Sequence, residues 1–166
     1  MSHPRRILII GSLALLALSM AYGLWYALGV EHQRLDQIGG SLAGSFLQAA
    51  DRNLDGAQKK LQEYGDARYR YTREVDAHSH WTGLALLLVL LGAVFDQLAF
   101  AERMRIWLAW LLLISATGFP ACVLWQNLDH GTLPRIASAI FAVVLVVAVS
   151  LVAGGFIRRK PQAANV

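Results

Sequence analysis

Four long apolar runs divide the chain, and a polar segment separates the first run from the second. The runs cover Ile7 to Val30, Trp81 to Phe100, Ile106 to Trp125 and Ile136 to Ile157. A helix rises about 1.5 Å per residue, so about 20 residues cross a bilayer hydrocarbon core that is about 30 Å thick. The pattern therefore predicts an all-α membrane protein with four transmembrane helices.

The first apolar run has the features of a retained transmembrane helix. It is 24 residues long, whereas the apolar part of a signal peptide has about 7–15 residues. It ends with bulky aromatic residues and not with a small-residue cleavage site, and we expect Tyr22, Trp25 and Tyr26 to form an interfacial aromatic belt. Ser19 and Gly23 are two small residues four positions apart, a spacing that lets a second helix approach closely.

The segment from Glu31 to Ser79 is polar, charged and free of proline. Its apolar residues recur every three or four positions, which is the spacing of one helix face; they are Leu35, Ile38, Leu42, Phe46, Leu54, Ala57, Leu61 and Tyr64. Turn-forming residues between Asp51 and Gly56 separate two halves. We therefore predict two antiparallel helices, at about 31–50 and 56–79, that extend the first two spans into an extracytoplasmic helical hairpin.

The cations fix the expected orientation and division of the chain. Inner flanks hold Arg5, Arg6, Arg103, Arg105, Arg158, Arg159 and Lys160. The hairpin side holds eight cations, one more than the inner flanks, but most of them lie away from the membrane. The positive-inside rule therefore favours both termini on the cytoplasmic side of the membrane, which we expect to be a bacterial inner membrane. The divisions are 1–30, the cytoplasmic start and first span; 31–79, the hairpin; 80–157, the other three spans; and 158–166, a cytoplasmic tail.

Composition supports the membrane assignment and narrows the range of partners. Hydrophobic residues make up 56% of the chain and charged residues 16%, below the roughly 25% charged residues of soluble domains. The net charge of +4 comes with cations that border apolar runs, which indicates contact with lipid and not with nucleic acid. Cys122 is the single cysteine, so no internal disulfide forms and CxxC motifs are absent. No constellation for nucleophilic catalysis is evident, and whether the protein is an enzyme stays open.

Two residues within the spans, Asp96 and Pro120, each predict a local structural feature. Asp96 lies near the end of the second span, and Arg103 and Arg105 follow within one to two turns. A carboxylate at membrane depth is costly, so we expect an ion pair there. Pro120 lies inside the third span and removes a backbone donor, which frees carbonyls near Ala116. The freed carbonyls shape a pocket, or the proline marks only a packing kink.

Four of the five histidines lie close to the same predicted membrane boundary, on the hairpin side. They are His32, His78, His80 and His130. Neutral imidazole binds iron, copper and zinc, and a metal needs ligands from separate segments that converge. The four histidines are therefore candidate ligands for copper or haem, and the nearby carboxylates of Glu31, Asp76 and Asp129 are candidates to orient the imidazoles. Alternatively, polarity alone places histidines at the membrane surface, and no cofactor is bound.

The spacing of His78 and His80 restricts how they would bind. In a regular helix, residues two apart point about 200° from each other. Both histidines would reach one metal only where the helix breaks, or through a haem with ligands on other helices.

The sequence from His78 to Gly83, together with the apolar run that follows, resembles small bacterial four-helix membrane proteins with a His-x-His motif at an outer helix end. More distantly, it resembles the histidine-bearing helices of the haem–copper oxidase catalytic subunit. Gly118-Phe119-Pro120 and Trp125 of the third span fit the first resemblance, which covers about half the chain and leaves out the hairpin. The oxidase resemblance implies that His78 and His80 hold haem or copper. The chain lacks that subunit's six histidines and other helices, so oxygen reduction is not expected.

Two hypotheses about function follow from the sequence. In the first, the protein binds haem or copper near its extracytoplasmic face for electron transfer or metal handling. In the second, it is a non-catalytic subunit whose hairpin binds a partner or mediates homo-oligomerisation through Leu42, Phe46 and Leu61, because a two-helix arm buries little surface alone. A transporter is a third possibility, and it would need oligomerisation to supply a polar pathway.

Overall fold

The computed structural model describes residues 1–158, and within that range the chain is helical with no strand. The helices are α1 (His3–Gly29), α2 (Glu31–Ala50), α3 (Leu54–Val94), a short 3-10 helix (Phe95–Gln97), α4 (Glu102–Trp125) and α5 (Thr132–Ile157). The predicted all-α class is confirmed. Of the predicted tail 158–166, all but its first residue lies outside the described residues.

Four of the helices, α1, α3, α4 and α5, are long and apolar enough to cross a membrane. This confirms the four predicted spans. All four begin before the apolar run that they contain: α1 at His3, α3 at Leu54, α4 at Glu102 and α5 at Thr132. Helical backbone satisfies its own hydrogen bonds, so a helix continues through the polar boundary at no penalty.

The end of the second apolar run, which was predicted to be helical, is not helical. After the 3-10 helix, Leu98 takes an extended conformation with ψ 133°, and the Ala99 N–H donates to the Gly155 carbonyl of α5 at 3.2 Å. Leu98 is buried and Phe100 packs on the core. These apolar residues therefore cover the end of the bundle while the chain turns toward α4.

The hairpin forms from α2 and the first part of α3. Helix α3 runs without a break through the hairpin and the second span, whereas α1 and α2 are separated at Val30, whose φ is −124° and ψ −41°. The second arm begins at Leu54, slightly before the expected position, because Asn53 caps it. The Asn53 side chain accepts a hydrogen bond from the Gly56 N–H at 3.1 Å, a bond that satisfies one free donor of the first turn.

The tip of the hairpin is a helix-ending motif with an unusual residue. The Asn53 N–H donates to the Gln48 carbonyl at 2.9 Å, and the Arg52 N–H donates to the Ala49 carbonyl at 3.0 Å. This is the Schellman pattern, in which the residue just past the helix takes a left-handed conformation. Glycine usually occupies that place, but here it is Arg52, with φ 57°.

Helices α1, α3 and α4 pack against one another, and α5 packs mainly against α4. The buried core between them is made of apolar side chains, among them Leu8, Leu15, Trp81, Ala85, Leu88, Phe95, Leu108 and Leu112. The outward side chains of α5 are large and exposed, including Ile140, Val143 and Val146. Such a face is suited to lipid.

Both described ends of the chain lie at the end of the bundle opposite the hairpin. The carboxylate of Asp96 accepts a hydrogen bond from the Ser2 hydroxyl, and it forms ion pairs with Arg5 at 3.3 Å and Arg105 at 3.8 Å. The predicted pairing of Asp96 with Arg105 is confirmed. Arg103 makes no ion pair with any residue from 1 to 158. Asp96 thereby links α1, the 3-10 helix and α4.

Candidate functional site at the base of the hairpin

His78 lies in the contact between α3 and α1. Its Nδ1 is 3.4 Å from the Ser19 hydroxyl, and Ser19 and Thr82 hydroxyls are 2.7 Å apart. Gly23 leaves room for the imidazole, since a Cβ there would lie 2.4 Å from His78 Cε1. The predicted role of Ser19 and Gly23 in close helix approach is therefore confirmed. The approaching group is a histidine side chain on α3.

Aromatic residues of α1 surround His78 on one side. The Tyr22 ring centroid lies 6.3 Å from that of His78 and 5.7 Å from that of Trp81, and it stacks on Tyr26 at 6.2 Å. Tyr26 is buried, whereas Trp25 is 59% exposed. Of the expected aromatic belt, only Trp25 points outward, because the two tyrosines fill the space between α1 and α3.

His80 faces a different neighbour from His78. Its ring lies 4.9 Å from the ring of Phe119 on α4, with a 57° angle between the planes. Helix α3 is regular through both histidines, so the 200° divergence expected for such a spacing holds. One histidine contacts α1 and the other contacts α4.

The other two candidate ligands lie apart from this pair. The side chain of His32 is 90% exposed, and its Nε2 is 3.6 Å from the Asp36 carboxylate. The His130 ring lies 5.2 Å from the ring of Tyr69 on the hairpin. Each candidate histidine thus has its own neighbours. Among residues 1–158, no three His, Cys, Asp or Glu side chains are close enough together to hold one metal ion.

The three carboxylates proposed to orient the imidazoles have other partners. Glu31 accepts from the Tyr71 hydroxyl at 3.5 Å, Asp76 pairs with Arg73 at 3.8 Å, and Asp129 accepts from the Gly131 N–H at 2.7 Å. Binding of haem or copper by the four histidines stays a prediction.

An ion pair that the sequence pattern did not indicate joins the two arms at the hairpin base. Arg34 Nη2 lies 3.0 Å from Glu74 Oε1, and the two side chains are only 26% and 12% exposed. With Trp25, Gln33 and Gln37 they line a cavity of about 360 Å³. The hairpin register could have revealed this pair, since oppositely charged residues 34 and 74 lie at matching distances from the tip.

A second overlooked contact connects the hairpin with α4 and α5. The Tyr69 hydroxyl donates to Gln126 Oε1 at 3.4 Å, and Gln126 Nε2 donates to the Ser138 hydroxyl at 3.2 Å. Gln126 is 5% exposed. A buried amide needs partners, and here these partners tie the long arm of α3 to the other two helices. The sequence signal was an amide placed directly after an apolar run.

The hairpin residues predicted to bind a partner are only partly covered. Phe46 is 67% exposed and Leu61 is 54% exposed, while Leu42 is half-buried. The buried residues between the arms are instead small: Ser41, Ser45 and Ala67. The amphipathic pattern correctly predicted helices, but its largest side chains lie beside the contact between the arms and not within it.

No family model, curated protein or solved structure matches this chain. The interpretation of the site therefore depends on its geometry alone.

Proposed function

We propose that this protein is a non-catalytic, multi-pass membrane subunit that associates with a second copy of itself through the helical hairpin. The observation that carries the proposal is the exposure of Phe46 and Leu61 on a hairpin whose own contact is made by small residues. Fully burying one large apolar side chain is favourable by about 1.5–3 kcal/mol. A partner that covers these side chains would gain this free energy on binding.

The contact between the arms buries little apolar surface. The hydroxyls of Ser41 and Ser45 donate within their own helix, to the Gln37 carbonyl at 2.6 Å and the Leu42 carbonyl at 2.7 Å. A Cβ on Gly44 would lie 3.4 Å from Lys60 Cδ, so the arms approach closely there. Small residues permit this approach and leave the stabilising apolar contacts to be made elsewhere.

Two exposed apolar residues, Phe46 and Leu61, and the half-buried Leu42 share one side of the hairpin. Leu42 and Phe46 each follow a buried serine by one residue, and Leu61 follows Lys60, which packs across Gly44. One residue is a rotation of about 100° in a right-handed helix. Because the arms are antiparallel, the same rotation turns these three side chains to the same side. We call Leu42, Phe46 and Leu61 the hairpin patch.

A second copy satisfies the geometry of the hairpin patch. Two chains inserted in the same direction present identical patches at the same height above the membrane, so a two-fold axis along the membrane normal brings them face to face. The result would be a four-helix bundle, a common solution for amphipathic hairpins. Residues 31–79 hold seven Arg and Lys against eight Asp and Glu, so two copies would meet without strong net repulsion.

We also propose a bacterial inner membrane location with both termini cytoplasmic and the hairpin outside. Support comes from the cations at the terminal end of the bundle, where Arg5 and Arg105 meet at Asp96. Cations close to the ends of spans favour retention on the cytoplasmic side. Labelling of the variant Arg52→Cys by a membrane-impermeant maleimide, in a Cys122→Ser background, tests the orientation. Labelling in intact cells is expected, and labelling only after lysis would show the opposite orientation.

The mass of the full chain in nanodiscs tests this association, because it distinguishes a dimer from a monomer. Substitutions at two neighbouring residues provide a variant and its matched control. Wild type is expected to be a dimer, and Phe46→Gln is expected to weaken association at least tenfold with unchanged helical circular dichroism. Leu47→Gln is the control, because Leu47 is equally exposed at 67% but follows Ser45 by two residues and so faces away. A monomeric wild type would overturn the proposal. Loss of a different co-purifying protein in the Phe46 variant would replace the second copy with that protein.

A further inference from the structure

Helix α4 carries two apolar grooves at the terminal end of the bundle, one on each side of Trp110. The first, of about 350 Å³, lies between α1 and α4, with Ile7, Ile10 and Leu113 among its walls. The second, of about 680 Å³, runs along α4 past Ile106, Trp107 and Ile114. Trp110 lines both grooves, so its ring separates two neighbouring apolar channels.

The first groove exists because α1 and α4 touch at one level and leave a furrow beside the contact. A Cβ on Gly11 would lie 2.5 Å from Leu113 Cδ1, which shows how closely the helices meet there. Next to it, Ile10 is 55% exposed and Trp110 is 49% exposed. Large side chains on either side of the glycine contact therefore form the walls of the furrow.

Each groove has an arginine at the same end. Arg6 and His3 line the first groove, and Arg103 lines the second together with Glu102. Helices α1 and α4 begin at the same end of the bundle, where Arg5 and Arg105 both bind Asp96. Both grooves therefore open toward the same end of the bundle, where two arginines, one histidine and one glutamate line them.

The arginines of this end fall into two groups by their partners. Arg5 and Arg105 are turned inward and paired with Asp96. Within residues 1–158, the side chains of Arg6 and Arg103 make neither an ion pair nor a hydrogen bond, and both residues are exposed. Among the described residues, these two cations therefore lie beside apolar grooves without an anionic side chain bound to either.

We propose that the two grooves beside Trp110 bind the acyl chains of one anionic phospholipid, whose phosphate is held by Arg6 and Arg103. The apolar walls select a lipid tail, and the net positive mouth selects an anionic headgroup over a zwitterionic one. Basic pockets between transmembrane helices bind anionic lipids by this combination. The proposal does not depend on the hairpin.

Native mass spectrometry of the full chain, released from detergent, tests the site with phosphatidylglycerol and phosphatidylcholine as probes. Wild type is expected to retain one phosphatidylglycerol in preference to phosphatidylcholine. Each of Arg6→Gln and Arg103→Gln is expected to weaken phosphatidylglycerol binding about fivefold, the effect of one cation near a lipid surface. The double variant should bind the two lipids equally.

The control is Arg158→Gln, which removes an exposed arginine from the same end of the bundle but outside both grooves. It is expected to bind phosphatidylglycerol as wild type does. An equal loss in this variant would overturn the proposal, because it would show attraction by general charge. Equal binding of the two lipids by wild type, or displacement of the lipid by soluble glycerol phosphate, would also overturn it.

A second measurement follows the acyl chains and does not require the arginine variants to fold. Phosphatidylglycerol with brominated chains is expected to quench tryptophan fluorescence in reconstituted wild type more strongly than brominated phosphatidylcholine does. Trp107 also lines the second groove, so the double variant Trp107→Phe, Trp110→Phe should remove that difference, while Trp125→Phe, at the other end of α4, should keep it. A difference that survives in the double variant would contradict binding in these grooves.

Discussion

The indole N–H of Trp81 donates a hydrogen bond to the backbone carbonyl of Thr117 at 3.2 Å. This contact joins α3 to the turn of α4 that contains Pro120. Proline has no N–H, so Pro120 leaves the Ala116 carbonyl, four residues earlier, without its helical donor. The bond from Trp81 goes to the next carbonyl, that of Thr117, in the same turn of the helix. The tryptophan that follows the His-x-His motif therefore ties α3 to α4 beside the proline.

We expect Trp81→Phe to lower the free energy of unfolding by about 1–2 kcal/mol, because the ring remains apolar but the hydrogen bond from the indole to the Thr117 carbonyl is lost. Unfolding by SDS in mixed micelles, followed by circular dichroism, measures the change. Trp107→Phe serves as the control, since Trp107 is 71% exposed. An unchanged midpoint for the Trp81 variant would show that the hydrogen bond contributes no stability.

Gly23→Ala should destabilise the contact between α1 and α3 by about 1–3 kcal/mol. The added methyl group would lie 2.4 Å from the His78 ring, and the ring would have to leave its place between Tyr22 and Ser19. The same substitution at Gly83 of α3 meets nothing within 4 Å, and its higher helix propensity should leave stability equal or slightly raised. Equal effects at both positions in thermal unfolding would refute the packing argument.

The sequence predicted where the helices lie better than it predicted how they pack. Hydrophobic run length located all four spans, and spacing along residues 31–79 located the hairpin, because helices require only local pattern. The side that each helix presents was harder to predict. The apolar spacing marked one face of each hairpin helix, but the contact between the arms is made by Ser41 and Ser45, which that spacing did not indicate. Small residues allow closer packing, and hydropathy does not register that advantage.

The candidate site was predicted less well because it depends on contacts between distant segments. The sequence placed four histidines near one level of the membrane: His32, His78, His80 and His130. In the structure, each of them contacts different residues. Rotation about the helix axis decides whether residues at one level meet, and that rotation follows from packing across the whole bundle. The ion pair of Arg34 with Glu74 also depends on how each helix is rotated about its axis.

At the hairpin tip, Arg52→Gly is expected to stabilise the protein by about 1 kcal/mol. Arg52 has φ 57°, a conformation that glycine adopts without the steric penalty of a Cβ atom. Arg52→Ala is the control, because it removes the charge and keeps the penalty. Slower hydrogen exchange of the Arg52 and Asn53 amide positions in the glycine variant alone is the expected result. Equal protection in both variants would show that charge, and not backbone conformation, matters.

The Arg34–Glu74 pair should contribute more to stability than the exposed pair of Lys60 and Glu63. Glu74→Gln leaves the mostly buried Arg34 cation without a partner, and we expect a loss of about 1–3 kcal/mol in SDS unfolding. Replacing both residues, as Arg34→Met with Glu74→Leu, should recover at least half of that loss. Glu63→Gln should have no measurable effect, since exposed pairs contribute little. A double variant no more stable than Glu74→Gln would contradict this account.

The haem or copper hypothesis makes a prediction that is independent of the hairpin. Protein purified from its own host should show a Soret band or stoichiometric copper, and the double variant His78→Ala, His80→Ala should lose it. His3→Ala is the control, because His3 lies at the opposite end of the bundle. Since His78 contacts α1 and His80 contacts α4, a single variant at either position should separate their roles: a ligand's removal abolishes the signal, and a bystander's removal leaves it. Metal-free protein that still performs its cellular role would end the hypothesis, and would leave these histidines as packing residues between α3 and its neighbours.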